Sequence, residues 1–415
     1  DLDRMPDRVR SGRASSSHAV GCGLLLLLAV QLAAGLQAPP TEDDITDSDR
    51  YAWIYVVGAQ GNIIKSSDAG RTWKCSHCGL KRLVTSTLND VHFHTALVGF
   101  VVGDRGVVLK TVNGGANWVK ADLPEASRDI NLYGVHVFRP LIVHVVGEHG
   151  SVLSTDNGGD TWSVAAPVQV PNITGFLISP TLRSLRFSDS SNGVLVGDAN
   201  FWWETEDGGE SWRATNLSGV PWDHPDTSLR HLSIDQRANM VAVGLGGLVY
   251  AVRREMQEDN DDAVFLWNKL AAPGSAAASD LHGSSAIDVN TFAMVGGPSS
   301  YVAVTAGSTL ELSSASLGDE APAETLSSVY MSTPYTLVTA SASGGIFRSG
   351  DGGHSFVQVD TPPEVAAVAW TAMHGRNAAD ESAASDNWGL SSWGLRLGMA
   401  LIATAPSWCS VSFGA

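Results

Sequence analysis

Cysteine is scarce: the chain has four in 415 residues, and only Cys75 and Cys78 lie close together. A tetrahedral zinc site needs more ligands than Cys75-Ser76-His77-Cys78 supplies, so the pair reads as a surface disulfide or as two idle thiols. No metal or other cofactor is expected. Cationic side chains are also few, 26 Lys and Arg against 43 Asp and Glu, for a net charge of −17. Phosphate binding needs a cationic face, so a nucleic-acid partner is not expected. Long apolar runs are nearly absent. Only Val20 to Leu36 approaches membrane length, and it sits at the short limit for a span. Arg8, Arg10 and Arg13 precede it and Pro39-Pro40 follow, the pattern of an export signal, with a membrane anchor as the alternative. Residues 1–38 are therefore read as a targeting signal and residues 39–50 as an acidic, solvated linker.

What the chain has in plenty is one repeated sentence. Val102 to Trp118 reads VGDRGVVLKTVNGGANW, and close copies begin at Val57, Val146 and Val196. A worn copy begins at Ala340, and Val243-Gly244 and Val295-Gly296 keep only the opening. The starts at 57, 102, 146, 196, 243, 295 and 340 define seven units of one supersecondary size. A repeat of this length, built from short β-runs and glycine turns, is the signature of a propeller blade. Eleven residues before most Val-Gly pairs lies an apolar anchor, as at Val91, Val135, Leu185, Leu232 and Val329. It opens the innermost of four strands. The fold class is accordingly all-β: a seven-bladed propeller over residues 51–372 with four-stranded antiparallel blades. The first unit lacks an inner strand, and the apolar run Val365 to Trp370 is expected to supply it and close the ring. Residues 373–415, rich in Ala and Ser, form a tail outside the repeat.

Between the third and fourth strands sits a box with its own mechanics. Asp68, Asn113, Asn157, Asp207 and Asp351 each stand five residues ahead of an aromatic, Trp73, Trp118, Trp162, Trp212 and Phe356. The acid or amide accepts hydrogen bonds from its own turn, a glycine takes positive φ, and the aromatic covers the hairpin. These ten residues are read as folding devices. The pattern is similar to the Asp-box, or BNR repeat, of sialidases, sortilins and certain xyloglucan hydrolases.

Because strands alternate direction, the turns after Val-Gly share one face with the connections between blades. Asp104, Glu148 and Asp198 occupy one position there in successive units, and a carboxylate pair across a substrate is what a glycoside hydrolase needs. Solvated turn acids are the plainer reading. Lys81, Arg82, Arg128, Arg183 and Arg230 gather on the same face. Arg183 and Arg230 fall two residues before their anchors, while His92, His136 and Arg186 fall one after. Such a set would dock a carboxylate or an acidic peptide, or would neutralise neighbouring acids. Asn172 and Asn216 open glycosylation acceptors that carry meaning only in the secretory lumen.

The whole unit, Leu88-Asn89-Asp90-Val91-His92-Phe93, then Gly99 to Gly103, then Gly106 to Trp118, resembles the blade of the photosystem II stability and assembly factors of cyanobacteria and plastids. The resemblance spans about residues 51–370. It implies a non-enzymatic, monomeric propeller of the thylakoid lumen that escorts a newly made reaction-centre subunit or its precursor, meeting thylakoid membrane complexes peripherally. It further implies an arginine-rich docking patch, carried over onto Arg183, Arg186 and Arg230; Arg128, Lys81, Arg82, His92 and His136, placed on that face by the repeat itself, complete the expected partner-binding set. The chain departs from that pattern in having fewer arginines, degenerate fifth and sixth units and an extra tail. The alternative is a secreted Asp-box propeller that binds or cleaves glycans. A sialidase is disfavoured, since only Phe138-Arg139-Pro140 stands where Phe-Arg-Ile-Pro would be needed.

Overall fold

A computed structural model of the chain describes residues 52–79, 82–171, 176–198, 201–216, 228–256, 263–270, 280–288, 290–297, 301–304, 313–315, 325–365 and 368–376. The expected targeting signal, the acidic linker, Lys81, the Asn172 acceptor and the tail beyond Arg376 lie outside the described residues. So does most of the Asn216 acceptor.

The architecture is an all-β propeller of four-stranded antiparallel blades. The described residues form seven four-stranded sheets and one two-stranded hairpin, Val170–Pro171 with Leu177–Ile178. The second sheet shows the plan: Leu88–Phe93 innermost, then Gly99–Gly103, Val107–Thr111 and Val119–Lys120. The inner strands of the next five sheets are Leu132–Val137, Leu182–Phe187, Leu229–Ile234, Asp280–Asp288 and Leu326–Met331. The first sheet takes its inner strand from the far end of the chain, Trp370–Arg376 pairing with Trp53–Gly58. That strand begins where the apolar run Val365 to Trp370 ends. Val365 itself belongs to a short 3-10 turn, Pro363–Val365, buried against the first and last sheets. Alternation explains the shift: a strand facing the centre needs polar residues at every second place, and Thr371, His374 and Arg376 supply what an unbroken apolar run cannot. Met373 to Arg376 thus belong to the sheet rather than to the tail.

Second strands such as Gly99–Gly103 and Val143–Gly147 are buried along their whole length. A strand whose alternate residues face two neighbouring sheets has no wet side, which is why the sequence there reads Val-Val-Gly rather than alternating. Ile54 and Val56 pack with Val338 and Ile346 of the seventh sheet, while Tyr55 and Val57 pack with Val91 and Val101 of the second. Five further cores sit between successive sheets from the second to the seventh.

The boxes are hydrogen-bonded as turn devices. In the fourth sheet, the Asp207 carboxylate accepts from the Ser211 backbone N–H at 2.9 Å and from its hydroxyl at 2.5 Å. The Thr205 hydroxyl donates to Asp207 at 2.7 Å and accepts from the Gly209 N–H at 2.9 Å. Ser66, Thr111, Thr155 and Ser349 repeat this double role. This leading hydroxyl is as much a part of the box as the acid. The aromatics seal the turn: Trp118 is 7% exposed, meets Phe93 edge-on, and donates its indole N–H to Ser76 Oγ at 3.0 Å.

Candidate docking site at the channel mouth

The repeat breaks its own pairing at one point in every blade. Leu88 pairs with Gly103 and Asp90 with Val102, so Asn89 is left over as a β-bulge. The same slip leaves Tyr133, Arg183, Arg230, His282, Ser327 and Thr371 unpaired in the other inner strands. A bulge re-aims its side chain. All seven bulged residues line one central cavity of about 350 Å³, with His231, Asp90 and Trp370 also in its wall. Six of these bulges lie against the glycine of a Val-Gly pair, where the backbones approach closely; the seventh, at Ser327, lies against Ser341. A Cβ on Gly103 would run into the Thr87 carbonyl oxygen, and Gly58, Gly147, Gly197, Gly244 and Gly296 face carbonyls in the same way.

The turn acids hold the bulged side chains in place. Asp104 accepts from the Asn89 amide at 2.8 Å. Glu148 accepts from the Tyr133 hydroxyl at 3.2 Å and from the backbone N–H and amide of Asn131. Asp198 takes two bonds from Arg183, at 3.1 and 3.3 Å, and lies 3.6 Å from Arg230. Arg183 also stacks over the Tyr133 ring, 4.5 Å from its centroid. Burial works to raise the Glu148 carboxyl, but the Asn131 and Tyr133 donors bring it below the usual range. It stays ionised and is no proton donor. The three acids therefore act on neighbouring side chains, and the two arginines at the mouth share one counter-charge.

The other predicted site residues separate by depth. Arg186, His92 and His136 do not reach the cavity wall: they are 5%, 9% and 6% exposed, inside the channel beneath the mouth. His374, the matching residue of the first sheet, joins them, with His92 between it and His136 at ring distances of 4.4 and 4.6 Å. Burial first, and then the neighbouring imidazoles and the Arg186 charge, press His92 and His136 well below their ordinary range. They are neutral. His92 Nδ1 accepts the Val137 N–H at 3.2 Å, and the Asp90 carboxylate accepts those of Val91 and Val135 at 2.8 and 2.9 Å, so this layer stitches the splayed inner strands together. Burial pushes the Asp90 carboxyl up to about 6 against the pull of Arg186. Arg128 and Arg82 lie outside the cavity lining. Arg128 pairs with Asp122 at 3.1 Å, and Arg82 donates to the carbonyls of Gly79 and Gln60.

Sequence reasoning missed His374, Tyr133 and His282. Carrying the unit's register past Trp370, which stands in the place of Leu88, makes Met373 the anchor and His374 the residue after it. Cys75 and Cys78 are joined in a disulfide, and among the described residues no cluster of three or more His, Cys, Asp or Glu could hold a metal ion.

Two overlapping stretches of the chain, residues 43–110 and 79–172, match the family model of the photosynthesis system II assembly factor YCF48. No curated protein matches the chain. Among solved structures, YCF48 bound to D1 peptide is similar with a TM-score of 0.50 and 19% identity, over 66% of this chain and 81% of that one. YCF48 from Cyanidioschyzon merolae is similar with a TM-score of 0.50 and 20% identity, over 68% of this chain and 87% of that one. An ancestral GH74 enzyme shares 13% identity over 79% of this chain and 45% of its own, at a TM-score of 0.47 that carries no argument. At these identities the structural likeness concerns the fold alone.

Proposed function

We propose that this chain, which belongs to the photosystem II assembly factor family by the repeat matched over residues 43–172, is a non-enzymatic factor that docks a newly made reaction-centre subunit at the channel mouth. The observation that carries the proposal is the convergence of seven bulged side chains, two of them arginines, on one cavity in a chain with this family's repeat. A cavity of this size admits a peptide segment. Arg183 and Arg230 supply donors for a carboxylate, while Tyr133, Asn89 and His282 add polar contacts around them. A YCF48 structure holds a D1 peptide, and by that likeness the ligand class for this chain is a segment of the same subunit. Arg186, His92 and His136 are then supports of the mouth rather than contacts.

The same reading takes the seven sheets as seven blades of one closed ring, with Trp370–Arg376 as the closing strand. The core between the seventh and first sheets and the pairing of Trp53–Gly58 with that strand support it. It places the protein in the thylakoid lumen, to which the Cys75–Cys78 disulfide is suited, since such bonds persist in oxidising compartments. It takes the factor to work as a monomer.

The test is binding of a fluorescent D1 peptide to the wild type and to an Arg183→Ala/Arg230→Ala variant, beside a pull-down from detergent-solubilised thylakoid membranes. The wild type should capture the peptide and the reaction-centre subunit, and the variant should lose both. If the wild type captures neither, and is recovered from its host carrying N-glycans at Asn172 or Asn216, the secreted glycan-binding alternative takes its place.

A further inference from the structure

Beside the mouth lies a second concavity of about 360 Å³, formed by the connection between the first two sheets and a hairpin turn of the second. Arg82, Arg105 and Lys120 line it with the hydroxyls of Thr85 and Ser86, and no carboxylate does. No described carboxylate forms an ion pair with any of the three cations. By contrast Lys110, Arg128, Arg183, Arg213 and Arg230 have acids within 4 Å. At the mouth Asp198 answers both arginines. In the trough no carboxylate among the described residues pairs with the cations. The two sites are neighbours, because Asp104, which holds Asn89 at the mouth, donates its backbone N–H to Thr87 at the end of the trough's wall.

We propose that this trough is a second docking site, which takes an acidic stretch of a partner polypeptide independently of what the mouth binds. Three cations set around two hydroxyls suit carboxylates, and Arg82 is held ready by the Gly79 and Gln60 carbonyls. Adsorption to an anionic bilayer is opposed by the net charge of the whole molecule, which repels such a surface. A short acidic segment feels mainly the local field of the trough.

The experiment titrates the full chain into a labelled Asp/Glu-rich peptide and into its Asn/Gln counterpart, reading fluorescence anisotropy at two salt concentrations. The wild type should bind only the acidic peptide. Arg105→Glu/Lys120→Glu should weaken it about tenfold or more, with a shallower salt dependence, the scale expected when two rim charges are reversed. Both side chains are exposed, so the variant should melt with the wild type; Arg105→Gln/Lys120→Gln, with a smaller loss, guards against misfolding. The mouth variant Arg183→Ala/Arg230→Ala should bind the acidic peptide as the wild type does. Equal binding by the trough variants, equal binding of the neutral peptide, or loss only in the mouth variant would overturn the proposal. So would trough-dependent sedimentation with phosphatidylglycerol vesicles in the absence of peptide binding. Failure of the mouth to bind the D1 peptide would leave the trough result standing, so the two readings fail separately.

Discussion

Each blade has a box end and a mouth end, and the repeat treats them differently. At the box end five blades carry the same device: a hydroxyl, an acid or amide, a glycine and an aromatic, bonded within one turn. At the mouth end the bulge position holds Asn89, Tyr133, Arg183, Arg230, His282, Ser327 and Thr371, no two blades alike except for the arginines. The difference follows from what each place packs against. A box side chain is hydrogen-bonded within its own turn, so only a short hydroxyl and an Asp or Asn serve there. A bulged residue is released from the ladder and faces a cavity, so its chemistry is free to vary at little cost to the fold. Variety within a repeat thus marks the place where binding can be built.

In six sheets the residue opposite the start of the bulge is a glycine, while in the seventh it is Ser341. If the bulge arises because the inner strand crowds against the Val-Gly glycine, Gly103→Ala should be the most damaging single change. Its Cβ meets backbone, the Thr87 carbonyl and Leu88 Cα, which cannot swing away as a side chain would. We expect a loss of about 3 kcal/mol or more, read from denaturant unfolding. A loss under about 1 kcal/mol would mean that the bulge has another cause.

Buried groups of the channel can be contrasted by pH. Burial holds His231 and His374 down to about 3, against an ordinary value of 6.5. Below 6.5 the unfolded chain takes up protons that the folded one refuses, so their contribution is present above 6.5 and is lost as the pH falls towards 3. Asp90 works the other way: its carboxyl is raised to about 6 from 3.8, so protonating it in the fold recovers stability as the pH falls through 6. At pH 5 these two histidines cost roughly 2 kcal/mol each and Asp90 returns roughly 1, a loss of about 3 from the three groups relative to pH 7, to which His92, His136, His94 and His144 add in the same sense. Thermal melting at the two pH values measures this. The His231→Asn/His374→Asn variant should reduce the difference and leave the share of His92, His136, His94 and His144, which burial also holds down.

The box end predicts a smaller effect with a lower pH window. Burial works to raise the Asp207 carboxyl, but the Ser211 hydroxyl and N–H and the Thr205 hydroxyl together draw it down to about 2. Its stabilisation is present above 3.8 and fades as the pH falls towards 2. Asp207→Ala should cost about 1 to 2 kcal/mol at pH 7, the scale of lost hydrogen bonds to an exposed charged acceptor. Near pH 2 most of that difference should vanish. An equal cost at both values would mean that the carboxylate charge plays no part in the turn.

How much of this was legible beforehand follows the same division. The propeller and its boxes could be read because Asp68, Asn113, Asn157, Asp207 and Asp351 recur at fixed distance from an aromatic, and local turn chemistry does not depend on distant parts of the chain. Arg183 and Arg230 could be placed at the mouth by counting from their anchors. Depth could not be counted. Arg186, His92 and His136 are one pleat further along the same strands, and whether that layer is open or buried depends on what all seven inner strands contribute. The partner strand at Trp370–Arg376 was located several residues early because an apolar run resembles a strand, whereas a channel-facing strand is half polar. The leading hydroxyl of the box could be read as its acid was, because Ser66, Thr111, Thr155, Thr205 and Ser349 each stand two residues ahead of the acid or amide.

The smallest effect comes from a change that leaves the shape of the mouth intact. Tyr133 makes two contacts there: its hydroxyl donates to Glu148 at 3.2 Å and its ring lies under the Arg183 guanidinium. Tyr133→Phe removes the first and keeps the second. Because the hydroxyl is partly exposed and water can replace it, stability should change by about 0.5 kcal/mol or less. D1-peptide affinity should stay within about twofold of the wild type if the tyrosine serves the site by seating Arg183, since the ring still supports the guanidinium. Tyr133→Ala, which removes the ring as well, should instead approach the loss seen in an Arg183→Ala variant. Should Phe and Ala at this position weaken binding equally, the hydroxyl contacts the peptide itself, and the mouth end reads its partner through Tyr133 as well as through its two arginines.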